Sequence, residues 1–288
     1  MEPFFGKKKY TLSEKAPCTA KGNRHDKLMR ISRLLTALLA VSLLSSTAEA
    51  VVGGKSARDR NGIRRSVVRI ESSHGELCSG VLVAPDVVLT AAHCVISNAR
   101  YRVIATDSGF KPQEFPVVSI KRHSSFVAGT TPQTQPGADL ALLKLTSPVG
   151  GDFLPLPIAA NHSIGAGETV FLAGYGSTSY TNVGTARTLR TTSLVSLGPE
   201  RSLNKVLIVA DPKGLALRPG AGACLGDSGG PIFVSTHAGY AIGGITSWSG
   251  GPERSRSRSA CGGITAITPV EQYAQWISQT ISSLSSYR

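Results

Sequence analysis

The chain has 288 residues and carries 31 lysines and arginines against 18 acidic residues, a formal charge of +13. Its 41% hydrophobic content and 31 glycines exclude a disordered chain, a coiled coil and a collagen-like repeat. Five cysteines are too few for a disulfide-dense miniature scaffold, and the length suits one large domain or two small ones.

The first feature along the chain is a leader. Residues 29–50 read MRISRLLTALLAVSLLSSTAEA, with Arg30 and Arg33 ahead of an eleven-residue apolar run and Ala48-Glu49-Ala50 at the end. A basic start, a short apolar centre and an A-x-A site form a secretory signal peptide. The run is shorter than the roughly 20 residues a membrane span needs; a buried helix or signal anchor is the alternative. Residues 1–28 are polar and hold Cys18, so either translation starts at Met29 or the n-region is long. Nine basic and four acidic residues fall in 1–50, a net of +5, which leaves +8 on 51–288. A charge of +13 raises the question of nucleic acid or an anionic membrane. The division weakens that question, and the expectation is no nucleic-acid partner and no membrane contact after cleavage. Four cysteines remain in an exported chain, so two disulfides are expected.

Residues 51–288 then read as short strands separated by Gly, Pro, Ser and Asn. Strands are predicted at 66–70, 80–83, 87–90, 101–105, 117–121 and 140–145. A Pro- and Gly-rich dip near 149–158 marks a join between halves 51–155 and 156–288. Further strands are predicted at 169–173, 189–197, 206–210, 231–234, 240–247 and 263–267. At the end, Tyr273, Trp276, Ile277, Ile281 and Leu284 recur at helical spacing over 270–284, after Pro269. Many short strands and one terminal helix indicate an all-β barrel or sandwich class.

Three segments carry chemistry. Leu89-Thr90-Ala91-Ala92-His93-Cys94 places a histidine after a strand; Ala138-Asp139 leads the apolar run LALLKL; Cys224-Leu225-Gly226-Asp227-Ser228-Gly229-Gly230-Pro231 places a serine in a glycine-rich turn. A serine hydroxyl is a poor nucleophile at neutral pH. It needs an imidazole to take its proton and a carboxylate to orient that imidazole. Glycines around Ser228 allow backbone N–H groups to converge on one point, where an oxyanion can be held.

TAAHC, DLALLKL and GDSGGP, in that order, resemble the signature segments of the chymotrypsin/trypsin-like serine proteases, and the resemblance runs from Val51 to the terminal helix. It implies two antiparallel six-stranded β-barrels with a C-terminal α-helix, one peptidase domain over 51–288, and a serine endopeptidase secreted or exported to a periplasm. It also implies His93 as general base and then acid, Asp139 as its orienter, Ser228 as nucleophile, and the N–H groups of Gly226 and Ser228 as oxyanion hole. Ser247 matches the serine that supports the triad aspartate. Cys78–Cys94 and Cys224–Cys261 match family bridges. No metal or other cofactor is expected, the spacing lacking paired CxxC. Polypeptide substrates and protein inhibitors are the expected partners of a monomer. A catalytically silent binding protein on the same scaffold, and a basic nucleic-acid or surface binder, are the alternatives.

The start Val51-Val52-Gly53-Gly54 also matches the family. There a new N-terminal amine pairs with the aspartate before the nucleophile, here Asp227. The signal-peptidase cut falls directly before Val51, with no propeptide and no basic residue preceding it. Gly222, six residues before Ser228, matches the position at the base of the family's primary pocket; with Ala223 it offers no charge, so the resemblance implies a neutral or apolar P1 residue. Trp248 and Gly263 are the other pocket residues, and small Gly263 should leave the pocket open. The segment 249–260, SGGPERSRSRSA, is longer than usual. It reads as a solvated loop, with Glu253, Arg254, Arg256 and Arg258 near the pocket mouth as the functional option. His74, His123, His162 and His237 read as surface or satisfied core groups, and Arg64 and Arg65 as a solvated face.

Overall fold

A computed structural model describes residues 51–57, 62–200, 206–253 and 259–285. The leader and Arg254, Arg256 and Arg258 lie outside the described residues. The chain enters on a two-residue strand, β1 (Lys55–Ser56). Six strands follow: β2 (Val67–Ser72), β3 (Leu77–Ala84), β4 (Val87–Thr90), β5 (Tyr101–Thr106), β6 (Pro112–Arg122) and β7 (Ala141–Leu145). They close into an antiparallel barrel in the order β2-β3-β4-β7-β6-β5. Valine and isoleucine dominate these runs, because branched side chains fit a pleated, half-buried surface. All four residues of β4 are buried.

A second set comprises β8 (Thr169–Gly174), β9 (Arg190–Pro199), β10 (Leu207–Ala210), β11 (Pro231–Thr236), β12 (Gly239–Ser249) and β13 (Ile264–Pro269). Their order is β9-β10-β13-β12-β11-β8, and β8 pairs back with β9. Two six-stranded barrels result, and closure leaves no long free edge. The segment from Val51 and the terminal helix cross over. Lys55 of β1 pairs with Thr191 of β9, and Val51 is buried in the apolar cluster of the second barrel. After a 3₁₀ turn, α1 (Ala274–Ser285) returns to the first barrel, where Ile277 and Leu284 are both 1% exposed. No helix among the described residues is long and apolar enough to cross a membrane.

Every predicted strand is present, with shifted ends. The strand expected at 117–121 runs over Pro112–Arg122, because its first three residues are exposed and carry no apolar pattern. Arg64 departs from the expected solvated face. It is 4% exposed, donates to the Thr106 carbonyl at 2.6 Å and pairs with Asp152 at 2.6 Å. A buried guanidinium requires such partners.

The barrels are fastened to each other through Ser79 of β3, which is fully buried. Its N–H donates to the Ser228 carbonyl at 2.8 Å and its hydroxyl to the Gly226 carbonyl at 2.9 Å. The hydroxyl also accepts the Tyr175 N–H at 2.9 Å.

Disulfides join Cys78 to Cys94 and Cys224 to Cys261, closing loops of 16 and 37 residues. Loop-closure entropy gives about 3 and about 4 kcal/mol respectively. Replacing both cysteines of one pair by serine should lower the urea unfolding free energy by those amounts, with the larger loss for the 224–261 pair.

Candidate active site

His93 sits on a 3₁₀ turn, Ala92–Val95, directly after β4. Buried β4 fixes the start of that turn, and Cys94 ties it to β3. Asp139 lies two residues before β7, and Thr90 of β4 pairs with Ala141 of β7. Adjacent strands therefore bring the histidine and the aspartate together. Asp139 is 2% exposed. Its Oδ2 lies 2.7 Å from His93 Nδ1 and accepts the Ser247 hydroxyl at 2.6 Å; its Oδ1 accepts the His93 N–H at 2.9 Å. Burial would raise the Asp139 carboxyl, but the His93 charge and these hydrogen bonds outweigh it and hold the group below the usual range. The carboxylate thus stays ionised and fixes the ring.

Ser247 reaches Asp139 through a bulge. The β12–β13 register passes from Thr246↔Ile267 to Trp248↔Ala266, so Ser247 is the unpaired extra residue. Bulges re-aim a side chain in this way.

Ser228 stands in the turn before β11, on the second barrel. Gly229 adopts φ +78°, and a Cβ there would lie 2.0 Å from Thr90 Oγ1, so only glycine lets the nucleophile turn press against the first barrel. Among the described residues, the N–H groups of Gly226 and Ser228 donate to no protein acceptor. Ser228 and His93 line one open cleft of about 440 Å³, together with Ser247, Trp248 and Gly226. No hydrogen bond joins the Ser228 hydroxyl to His93 Nε2, which lies 3.7 Å from Cys94 Sγ; such contacts commonly tighten only when substrate binds.

Of the expected pocket residues, Trp248 lines this cleft, whereas Gly222, Ala223 and Gly263 do not. Gly222 is bridged to Val52 by two backbone hydrogen bonds of 3.1 Å, and Ala223 is 1% exposed. Gly263 packs backbone to backbone on Gly251 and Pro252, so the space expected beside it is closed. Leu77, Pro132 and Gln133 line the cleft as well. Sequence reading missed these; Leu77, adjoining Cys78, was the one with a signal, whereas the 127–137 loop is held by Gln135, whose burial only the structure shows.

Asp227 is fully buried. Its two oxygens accept the N–H groups of Gly176 at 2.8 Å and Cys224 at 2.9 Å. Burial pushes its carboxyl from 3.8 up to about 7, against the lowering effect of those bonds and of Arg190. Val51 is buried in the same barrel, but in the translated chain its nitrogen is an amide and carries no charge. Cys78, His93 and Cys94 gather ligand-type atoms within 4.8 Å. The sulfurs are bonded to each other, which removes the thiolates a metal would need.

The trypsin family pattern matches residues 51–277. The chain belongs to the trypsin family. Its class is serine endopeptidase. Relatives include a viper (Bitis rhinoceros) protein named snake venom serine protease rhinocerase 4, 26% identical over 86% of this chain and 94% of the relative. Human chymotrypsin-like elastase family member 1 is 27% identical over 83% and 95% of the two chains, and mouse tryptase 29% identical over 74% and 88%. Among solved structures, mouse neuropsin matches with a TM-score of 0.63 at 23% identity, covering 80% of this chain and all of neuropsin. Human heparin binding protein matches with 0.62 at 24% identity, over 81% and 97%. These structures share the chymotrypsin-like fold.

Asp139→Asn should leave the fold intact and lower kcat by about 10⁴, the magnitude known for Ser-His-Asp triads in general. Steady-state hydrolysis of a peptide ester, with circular dichroism as the folding control, checks it.

Proposed function

We propose that this trypsin-family chain is an exported endopeptidase that cleaves peptide bonds through an acyl-enzyme on Ser228. The observation that carries the reading is the Asp139–His93 pair, held by Ser247 and facing the same cleft as Ser228. His93 takes the Ser228 proton as the hydroxyl attacks the carbonyl and passes it to the leaving amine. Water, activated by His93, then releases the acyl group. The free N–H groups of Gly226 and Ser228 are placed to receive the carbonyl oxygen as it becomes negative. Uncharged Gly222 and Ala223 favour a neutral or apolar P1 residue. The natural partners are polypeptides, and the domain 51–288 divides near residue 155 into its two barrels.

A fluorophosphonate probe should label the wild-type protein and not Ser228→Ala. Labelling that survives in the variant would remove Ser228 from the role. Peptides with Leu or Phe at P1 should be cut faster than those with Arg, and the reverse order would refute the pocket reading.

The leader reading adds a switch. Removal of the leader before Val51 creates an ammonium next to the segment that docks on Gly222. In the uncut chain Asp227 has no such partner, and its carboxyl sits high. Pairing the two would favour the ionised form, and burial of either charge alone is costly. The closed contact between Gly263 and Gly251 fits an uncut chain whose pocket is not yet open. In the exported protein, mass spectrometry should find Val51 first.

Asp227 also sets a pH dependence. Its folded value, about 7, lies above its ordinary 3.8. The folded uncut chain therefore holds a proton that the unfolded chain releases, so stability is full below about pH 4 and falls as pH rises towards 7. In Ser228→Ala protein extended to Ala48, the urea midpoint should drop between pH 4.5 and 7.5. The same variant starting at Val51 should drop less, and equal drops would refute the pairing.

A further inference from the structure

Beside the catalytic cleft lies a second cavity of about 520 Å³, walled by the 72–76 turn, Arg100, Arg102 and Arg187. Glu76 lines both spaces. The floor of the second is Glu71, 7% exposed. Its Oε1 lies 2.9 Å from Arg69 Nε and accepts Arg187 Nε at 3.0 Å, and its Oε2 accepts from Arg102 at 2.8 Å. Three guanidiniums share one carboxylate, which the arginine contacts and charges keep ionised although burial opposes it. Arg102 also reaches exposed Glu114 at 3.3 Å. Arg100 has no carboxylate partner among the described residues, and the side chain of Arg187 is 59% exposed. Each guanidinium has five donors, and Glu71 has two oxygens. Donors and positive charge are therefore left facing the cavity.

On the pocket reading proposed above, the acyl side of the cut lies towards Trp248, and the leaving side then runs to the other end of the cleft, where Leu77, Cys78 and Cys94 line it. Ser79 is bonded to the Ser228 carbonyl. Leu77 is two residues along β3, about 7 Å away, and it pairs with Glu71 across the β2–β3 ladder, about 5 Å to the side, about 9 Å in all. An extended peptide advances about 3.3 Å per residue. The arginine cavity thus lies at the second or third residue after the cut. Glu76, which lines both spaces, puts a negative charge at the threshold between them.

We infer that this cavity is a leaving-side subsite that selects an acidic side chain two or three residues beyond the scissile bond, held by Arg100, Arg102 and Arg187. The inference rests on the endopeptidase reading of Ser228 and His93.

Quenched fluorescent peptides with a fixed acyl side, and Glu, Ala or Lys at each of the first four leaving-side positions, test it on protein starting at Val51. Glu should exceed Lys in kcat/KM by on the order of fivefold at the second or third position, less at high salt, and not at the first. In Arg100→Glu/Arg187→Glu the ratio should invert. A Glu/Lys ratio measured within one variant does not depend on how much of it folds. Lys111→Glu, an exposed change outside the cavity, should leave the ratio unchanged. A flat scan, an unaltered ratio in the double variant, or an equal shift in Lys111→Glu overturns the subsite. A p-nitroanilide substrate, which has no leaving-side residues, separates the two readings. If it is cut and the scan is flat, only the subsite falls; if wild type neither cuts it nor takes a fluorophosphonate, the endopeptidase reading falls and the subsite with it.

Discussion

The contact on which the site depends is the seam at Ser79. His93 and Asp139 belong to the first barrel and Ser228 to the second, so no strand pairing within either barrel fixes their distance. Ser79 supplies that constraint. Its amide, hydroxyl and carbonyl are all engaged, the last accepting the Thr90 hydroxyl at 2.8 Å. Two of its bonds hold carbonyls of the nucleophile turn, those of Gly226 and Ser228. The adjoining bond of the Gly229 amide to the Thr246 carbonyl, 2.7 Å, anchors that turn from the other side. With its carbonyls held on one face, the turn leaves the amides of Gly226 and Ser228 without protein acceptors. The seam and the two open amides are two faces of one bonding pattern.

Asp227 and Asp139 show how surroundings give one residue type two behaviours. Both are buried. Asp139 meets a histidine and a hydroxyl and stays ionised; Asp227 meets two amides in a deeper site and is pushed up. Gly174 and Gly176 make that deeper site possible, since a Cβ at either would lie within 2.4 Å of the Asp227 carboxyl group. A buried acid so enclosed responds strongly to any cation that arrives. The Val52 segment is docked on Gly222, which lies five residues before Asp227 in sequence, and this is the ground for the pairing proposed above.

The sequence shows the barrels and the chemical trio because both depend on local patterns. Strand runs such as Val87–Thr90 and the GDSGGP turn are contiguous, so their composition reveals them. What stayed hidden depends on residues far apart in the chain. Ser79 looks like an ordinary strand serine, and only its partners 96 and 147 residues away mark it. Arg64 and Asp152 meet across 88 residues, so a buried arginine paired at the surface's edge reads as part of a solvated face. Ser247 was identified through family resemblance, while the bulge that turns it inward is a register effect that composition does not encode. The contact beside Gly263 is hidden for a related reason: a missing side chain can admit a ligand or another backbone, and in the uncut chain Gly251 takes the place.

The walls of the cleft are held more loosely to the barrels than its floor is, and by different means. The 127–137 loop is organised by the single buried side chain of Gln135. Its carbonyl oxygen accepts the N–H groups of Val127 and Gly137, and its amide nitrogen donates to the Val127 carbonyl and the Thr130 hydroxyl, at 2.8 to 3.1 Å. All four of its bonding positions are thus filled within the loop itself. Such a loop keeps its shape without borrowing contacts from the triad, so Pro132 and Gln133 can present a wall while the Asp139 end of the segment stays fixed by β7. The opposite wall, the 72–76 turn, is held partly by itself, Ser72 accepting the Glu76 amide at 3.2 Å, and partly by Arg100, whose carbonyl accepts the Ser73 amide at 2.8 Å and whose amide donates to the Ser73 hydroxyl at 3.1 Å. The candidate triad is therefore tied to the inter-barrel seam, and the cleft walls to loops bonded apart from it. Changes in the loops can redirect the enzyme without loosening the contacts that make Ser228 reactive.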